Sequence, residues 1–453
     1  MKIVVIGDGK VGHMLATQLS EAKHSVVIVE KSVEKLQRAL NAIDINGVEG
    51  NGVDYEIQTE AGVANSDLVI ACTSSDEINM LSCLIAGKLG AKNTIARVRN
   101  HIYYKQMELL KSDLRLSLAI NPDLALAQEI FRILLFPTAS KVEPFAKGRA
   151  ELVEIRLEES QNITGMSLIE IYKKFKSDIL ICAVERGSEI YVPSGDFVLS
   201  YGDILHVMAA HNDIKKFSKH IGRYKSKIKN AMICGGGRST YYLAEMLINS
   251  GVDIKIVERD DKRAYELSAE LPKAGIICGN AADKGLLLEE GLEKAEAFVS
   301  LTGTDEENIV MSMYASTHKV QTVVTKINNE ILFELAYRLN LKSVVSPKVT
   351  TANVIAGYVG AMQNSYDNDN IEAIYRLLDG RLQAIEFTIS ENSKYLNIPL
   401  KDMKLEKDTI IGCIVRKRKV IIPHGDDIVK PYDSVIIMSK KQDIKSFKDI
   451  MLG

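Results

Sequence analysis

The chain repeats itself at a nearly constant offset, and this restricts its fold more than any single motif does. MKIVVIGDGKVGHMLATQLSEAKHSVVIVEK at residues 1–31 is answered by KNAMICGGGRSTYYLAEMLINSGVDIKIVERD at residues 229–260. Gly7 and Gly235 lie 228 residues apart, as do Glu30 and Glu258. Asp76 in TSSDEIN and Asp305 in TGTDEEN lie 229 apart, and Asp196 in PSGD and Asp426 in PHGD lie 230 apart. A drift of only two residues over the whole chain marks a complete duplication, so every element must be accommodated twice. The 453 residues leave room for about two to four domains.

Each half opens with alternating apolar strands and helical stretches. In the first half the strands are expected at Lys2–Ile6, Ser25–Val29, Ala42–Val48, Asp67–Cys72, Asn93–Val98 and Leu116–Ile120. That alternation predicts a doubly wound, Rossmann-like parallel sheet with helices on both faces. Pro122 then introduces the apolar helix DLALAQEIFRILLF, ended by Pro137, and Pro347 introduces KVTTANVIAGYVGAM. Ala127 and Ile130 of the first match Ala352 and Ile355 of the second. Such helices are either buried connectors within one subunit or helices that cross to another subunit. Short strands with turn signals follow, and they predict a small α+β domain. The expected order is a Rossmann-like domain at 1–122, a connector at 123–149, a small α+β domain at 150–225, a second Rossmann-like domain at 228–347, a connector at 348–375 and a small α+β domain at 376–453.

Gly7-Asp8-Gly9-Lys10-Val11-Gly12 is G-x-G-x-x-G between a strand and a helix, and Glu30 ends the next strand. Here Gly7 makes a tight turn, Gly9 admits a pyrophosphate, and Gly12 lets the helix pack on the sheet. The helix start offers N–H groups to phosphates, and Glu30 can accept from ribose hydroxyls. The second loop, Gly235-Gly236-Gly237-Arg238-Ser239-Thr240, keeps the first two glycines and Glu258. Thr240 replaces the third and is expected to push on the helix–strand contact. Arg259 beside Glu258 leaves room for extra phosphate charge. Lys10 and Arg238 sit where they can reach a phosphate in cis or on a neighbour. Further candidates stand at the later strand ends: Asn51, Thr73, Ser74, Arg97 and Arg99, with Asn280, Thr302, Gly303 and Lys326 in the second half. Arg97 and Arg99 would share a face if the strand continued, and paired guanidiniums suit a polyphosphate.

Other chemistry is poorly represented. The six cysteines are scattered without a C-x-x-C, which argues against zinc and fits a reducing compartment. The glycine loop interrupts the N-terminal apolar run, so no signal peptide is expected. No stretch approaches the roughly 18 apolar residues of a membrane span. A net charge of −2 offers no basic face to nucleic acid. The sequence carries no G-x-S-x-G, H-E-x-x-H or Walker A motif. His206 lies in an apolar strand and is expected to be packed; its repeat counterpart is Ile436. Two ligand loops without a catalytic constellation point to a sensor rather than an enzyme. The RKRK run at 416–419 is expected in a solvated hairpin, or against an acidic loop of a membrane protein.

These features together resemble the TrkA family of potassium-uptake regulators, built from two RCK (regulator of potassium conductance) units in tandem. The resemblance rests on GDGKVG with Glu30, GGGRST with Glu258, TSSDEIN and TGTDEEN, the proline-led helices, and PSGD and PHGD, and it spans essentially the full length. It implies a non-enzymatic peripheral protein on the cytoplasmic face of a Trk/Ktr-type potassium transporter. It further implies four chains forming a ring of eight RCK units, with NAD(H) and ATP or ADP as ligands. Carried onto this chain, the first site comprises Gly7, Gly9, Gly12, Glu30, Asn51, Thr73, Arg97 and Arg99. The second comprises Gly235, Gly237, Glu258, Asn280 and Thr302. The rivals are a soluble NAD-dependent oxidoreductase and an RCK-type regulator of another cation channel or antiporter.

Overall fold

The computed structural model describes residues 1–135, 142–146, 148–158, 161–222, 228–341, 343–364, 370–378, 380–417, 419–441, 444 and 446–452. Pro137 and Arg418 therefore lie outside the described residues. The first sheet contains β1 (Lys2–Ile6), β2 (Ser25–Glu30), β3 (Asn46–Glu49), β4 (Leu68–Ala71), β5 (Thr94–Arg97) and β6 (Leu118–Ile120). Their order is β3-β2-β1-β4-β5-β6, parallel throughout. Winding reverses between β1 and β4, which opens a crevice at their carboxyl ends. Next come β7 (Val142–Phe145), β8 (Ala150–Arg156), β9 (Ile179–Arg186), β10 (Glu189–Tyr191) and β11 (Ile204–Ala210). The second half repeats the plan. Its parallel sheet holds β12 (Asn230–Cys234), β13 (Asp253–Glu258), β14 (Gly275–Cys278), β15 (Ala297–Ser300), β16 (Thr322–Lys326) and β17 (Ser343–Val345). The order β14-β13-β12-β15-β16-β17 is that of the first sheet. The chain ends with β18 (Asn370–Leu377), β19 (Leu382–Thr388), β20 (Thr409–Arg416), β21 (Lys419–Ile421) and β22 (Ser434–Ser439).

One expected strand is corrected. Ala42 is the last residue of the helix Val33–Ala42, and β3 begins only at Asn46. The buried face of that helix, Leu36 and Ala39 spaced three apart, lies upstream of the run read as a strand and carries the helix on through Ala42. The connectors are also shorter than the segments read as such: β7 and β18 occupy residues within 123–149 and 348–375.

The chain folds into two compact units, and each draws on both halves. Unit 1 comprises 1–131 and 230–356; unit 2 comprises 132–229 and 357–453. Unit 1 thus holds both parallel sheets. The helices Pro122–Leu135 and Pro347–Asn364 begin within it. Ala127, Ile130, Ala352 and Ile355 are all buried within the single chain, as a connector requires. The two helices are tied by Thr350, whose hydroxyl donates to Glu129 Oε2 at 2.5 Å.

Unit 2 holds two antiparallel five-stranded sheets, ordered β10-β9-β11-β8-β7 and β18-β19-β22-β20-β21. One apolar core runs through both, joining Phe145, Leu152 and Cys182 to Leu382, Ala384, Cys413 and Ile436. Burial pushes the Cys182 thiol up to about 12, so it behaves as a small apolar side chain. The two halves also share a buried ion pair. Asp203 is fully buried and receives Arg186 Nε and Nη2, each at 2.8 Å, together with the Ser200 amide. Asp433 receives Arg416 and the Lys430 amide in the same way. Arg416 thus lies at the end of β20, which pairs antiparallel with β21 as a hairpin, but it is held against the buried Asp433 rather than solvated as expected for the RKRK run. His206 is buried as expected and contacts Glu185 Oε1 at 2.8 Å. Among the described residues no helix is long and apolar enough to cross a membrane.

Candidate nucleotide-binding sites

Both glycine loops leave the first strand of a parallel sheet and enter a helix whose N-cap is a glycine: Gly9 before Lys10–Glu21, and Gly237 before Arg238–Asn249. Neighbouring helices begin with side-chain caps, such as Ser75 and Asn100; these two do not. Their first amides are left to a ligand or to solvent. Gly7 stands at φ +100°, and a Cβ on Gly12 would lie 1.9 Å from the Gly7 carbonyl oxygen. A Cβ on Gly9 would meet nothing within 4 Å among the described residues. Gly12 is therefore required by the fold, whereas Gly9 borders open space that a pyrophosphate can enter. Val11 is buried beneath the helix, and Lys10 is exposed at its start.

Glu30 is buried at the end of β2. Its Oε2 accepts the Asp8 amide at 2.8 Å, and its Oε1 accepts the Ser32 amide at 3.0 Å. The carboxylate is thereby fixed beside the loop with lone pairs left for hydroxyl donors. The Asp8 carboxyl contacts His13 Nδ1 at 3.1 Å, and burial raises its pKa. The second loop reproduces this frame. Glu258 accepts the Gly236 amide at 2.5 Å and the Asp260 amide at 2.9 Å. Thr240 does not disrupt it. Its side chain is buried, and its hydroxyl donates to the Gly235 carbonyl at 2.5 Å. That is the carbonyl counterpart of the one that crowds Gly12, so the expected push becomes a hydrogen bond.

The remaining candidates divide. Asn51 and Asn280 follow glycines whose amides bond the carbonyls of Glu30 and Glu258, which brings them beside the acids. Thr73 and Thr302 are held by a residue that the motif reading passed over. Asn79 Oδ1 accepts the Thr73 amide at 2.7 Å and its hydroxyl at 2.8 Å, while Asn79 Nδ2 donates to the Arg97 carbonyl at 2.9 Å. Asn308 does the same for Thr302 and Lys326. Asp76 and Asp305 clamp the loops after β5 and β16, each accepting two successive amides. The signal was present in the repeat: Asp and Asn three apart, in both TSSDEIN and TGTDEEN. Asn79→Leu, nearly isosteric but without the amide, is expected to leave the Thr73 amide unpaired and the Thr73 hydroxyl with only its longer bond to the Ser75 carbonyl. It should cost about 2–3 kcal/mol, measured by urea unfolding.

The strand expected to carry both Arg97 and Arg99 stops between them, yet their guanidiniums remain neighbours on the successive carbonyls of Thr73 and Ser74. β5 stops at Arg97, because Asp76 captures the amides of Arg99 and Asn100. Arg97 turns to the Thr73 carbonyl, and burial lowers its pKa. Lys326, its counterpart, donates to the Leu301 carbonyl at 3.2 Å, and burial likewise lowers its pKa. Arg99 donates to the Ser74 carbonyl at 2.9 Å. With Asn100 and His101, it lines a cleft of about 540 Å³ whose opposite wall is Gly236, Gly237 and Arg238. Arg99, assigned by sequence to the first site, keeps its guanidinium on the Ser74 carbonyl of that site's loop and also lines the cleft at the second. Among the described residues no cluster of three or more His, Cys, Asp or Glu could hold a metal.

The TrkA-N domain model matches residues 3–121 and 231–347, and the TrkA-C domain model matches residues 152–222 and 384–452. The chain belongs to the TrkA family. It is 29% identical over 450 residues to the Trk system potassium uptake protein TrkA homolog of Archaeoglobus fulgidus, covering 99% of this chain and 100% of the relative. It is 30% identical over 443 residues to the Trk system potassium uptake protein TrkA of Halomonas elongata, covering 96% and 95%. Among solved structures, the GsuK RCK domain superposes with a TM-score of 0.64 at 17% identity, over 99% of this chain and 94% of that one. The GsuK channel bound to NAD superposes with a TM-score of 0.63 at 17% identity, over 99% and 78%. The Rossmann-like and antiparallel domains of this TrkA-family chain therefore have the RCK fold.

Proposed function

We propose that the chain is the regulatory subunit of a Trk/Ktr-type potassium uptake system and senses adenine nucleotides at two sites. The observation that carries this is the doubled frame of open glycine, uncapped helix and anchored glutamate. A carboxylate held by two backbone amides, buried at Glu30 and half-buried at Glu258, beside an open Gly9 or Gly237 is built for a ribose and its phosphates. The relatives named for potassium uptake match over their full length, and the structural neighbour titled as bound to NAD shares the fold. NAD(H) and ATP or ADP are the proposed ligands. The first site uses Gly7, Gly9, Gly12, Glu30, Asn51, Thr73 and Arg97; the second uses Gly235, Gly237, Arg238, Glu258, Asn280 and Thr302, with Arg99 across the cleft.

The same reading places the chain at the cytoplasmic face of the membrane, in a ring of four chains. Exposed apolar side chains on the helices Asp305–Thr317 and Glu330–Arg338 support self-association: Val310 is 66% and Ile331 77% exposed. Bound ligand alters transport only through its different affinity for the states of that ring. Glu30→Ala removes the ribose acceptor, and titration calorimetry should show nucleotide affinity at the first site falling roughly tenfold or more. In cells at low external potassium, deletion of the gene should abolish uptake, and the intact chain should restore it. Unchanged uptake in a strain without a redundant system would reject the assignment.

A further inference from the structure

We infer that the second nucleotide site is the one wired to a connector helix, and that Asn121 is the positioning residue that makes the connection. The inference rests on the nucleotide reading above. Asn121 stands at the N-cap of the helix Pro122–Leu135 and is buried. Its Oδ1 accepts the amides of Asp123 and Leu124, each at 3.0 Å. Its Nδ2 donates to the Tyr242 hydroxyl at 2.9 Å and to the Arg99 carbonyl at 3.4 Å. One amide therefore joins three elements: the connector, the helix that follows the second glycine loop, and the loop that faces it across the cleft. All four of its hydrogen-bonding positions are used. A second bond runs in parallel, from the Ser239 hydroxyl to Asp123 Oδ1 at 2.8 Å. A ligand that displaces Arg238–Asn249 or the Arg99 loop must then move the start of the connector or break these bonds.

The first nucleotide site lacks this junction. Aligned on Pro122 and Pro347, the counterpart of Asn121 is Ser346, whose buried hydroxyl has no partner among the described residues. The counterparts of Ser239 and Tyr242 are Val11 and Met14, which cannot form these bonds. Lys348, in the place of Asp123, is engaged with Glu330 at 2.6 Å. Among the described residues the duplication supplies two nucleotide frames but one junction built from direct hydrogen bonds of this kind, so the two sites have different consequences for the helices that leave unit 1. Contiguous hydrogen-bonded networks of this kind can carry coupling between sites.

The test measures amide hydrogen exchange over residues 122–131 of the full chain, with ATP and NADH added separately. Calorimetry follows binding in parallel. Nucleotide is expected to change exchange in this segment of the intact chain by roughly fivefold or more. Gly9→Val should keep the response and Gly237→Val should lose it. Asn121→Ser keeps a helix cap but cannot reach Tyr242. It should bind nucleotide within about threefold of the intact chain and lose the response. Tyr242→Phe, which deletes one hydroxyl, should lose it too. A retained response in Asn121→Ser and Tyr242→Phe, or loss of the response in Gly9→Val, would overturn the inference. Binding without any change in the connector would also overturn it, and would leave the nucleotide reading intact. Failure of the intact chain to bind either nucleotide would overturn both.

Discussion

Gly9→Val is expected to weaken nucleotide binding at the first site by about a hundredfold or more, while the ligand-free protein melts within about 1 °C of the parent. Two adjacent measurements explain the combination. A Cβ at Gly9 meets nothing within 4 Å among the described residues, so the folded chain does not object to a side chain. The space a valine would fill is the space a pyrophosphate must enter to reach the amides of Lys10 and Val11. Gly12→Val is expected to behave in the opposite way. Its Cβ would lie 1.9 Å from the Gly7 oxygen and 3.0 Å from Cys72 Sγ. Overpacking there should cost about 3 kcal/mol, or roughly 6–12 °C in a unit of this size. Thermal melts with and without nucleotide separate the two cases. Gly9→Val loses only the ligand-induced rise; Gly12→Val loses baseline stability.

Asp203→Ala is expected to lower the stability of unit 2 by about 2–3 kcal/mol, and Asp433→Ala by a similar amount. Each aspartate is buried and receives a two-pronged guanidinium as well as a backbone amide. Removal strands that amide and releases the arginine, which also holds the carbonyl of Val198 or Ile428. The cost falls below the roughly 3–5 kcal/mol usual for a broken buried pair, because the Arg186 side chain is 40% exposed and can rehydrate. By contrast, Lys401 and Asp426, 2.6 Å apart, are both largely exposed. Lys401→Ala should stay within about 0.5 kcal/mol of the parent. Urea unfolding in low and high salt checks both: the exposed pair fades with salt and the buried pairs persist.

The repeat and the strand–glycine–helix order made the Rossmann-like fold legible, because these are patterns of backbone need. Glycine at 7 and 12 reflects a positive φ and a 1.9 Å approach, both imposed by local geometry. Features that depend on a distant partner were harder to read. Arg99 seemed to continue a strand until Asp76, 23 residues earlier, took its amide. Ala42 seemed to open a strand although it closed a helix. Asn79 sits in the first turn of a helix, where a polar residue usually serves the helix end or faces water; its buried role appears only once Thr73 and Arg97 are placed around it. Thr240 was legible as a departure but not as a repair, since the carbonyl it satisfies lies outside any side-chain pattern.

The composition of the two units has a consequence for how the molecule is made. Neither unit is contiguous in sequence: each is assembled from a stretch in the first half of the chain and another in the second. When synthesis reaches Lys229, unit 2 has Phe145, Leu152 and Cys182 but lacks Leu382, Ala384 and Ile436, with which they share one core. The ribosome needs on the order of ten to forty seconds to supply the missing half. During that interval the nascent chain presents apolar faces whose native partners do not yet exist. Faces of the same kind on other nascent copies are the competing partners. Expression level and chaperone supply, more than final stability, should therefore limit the yield of folded protein.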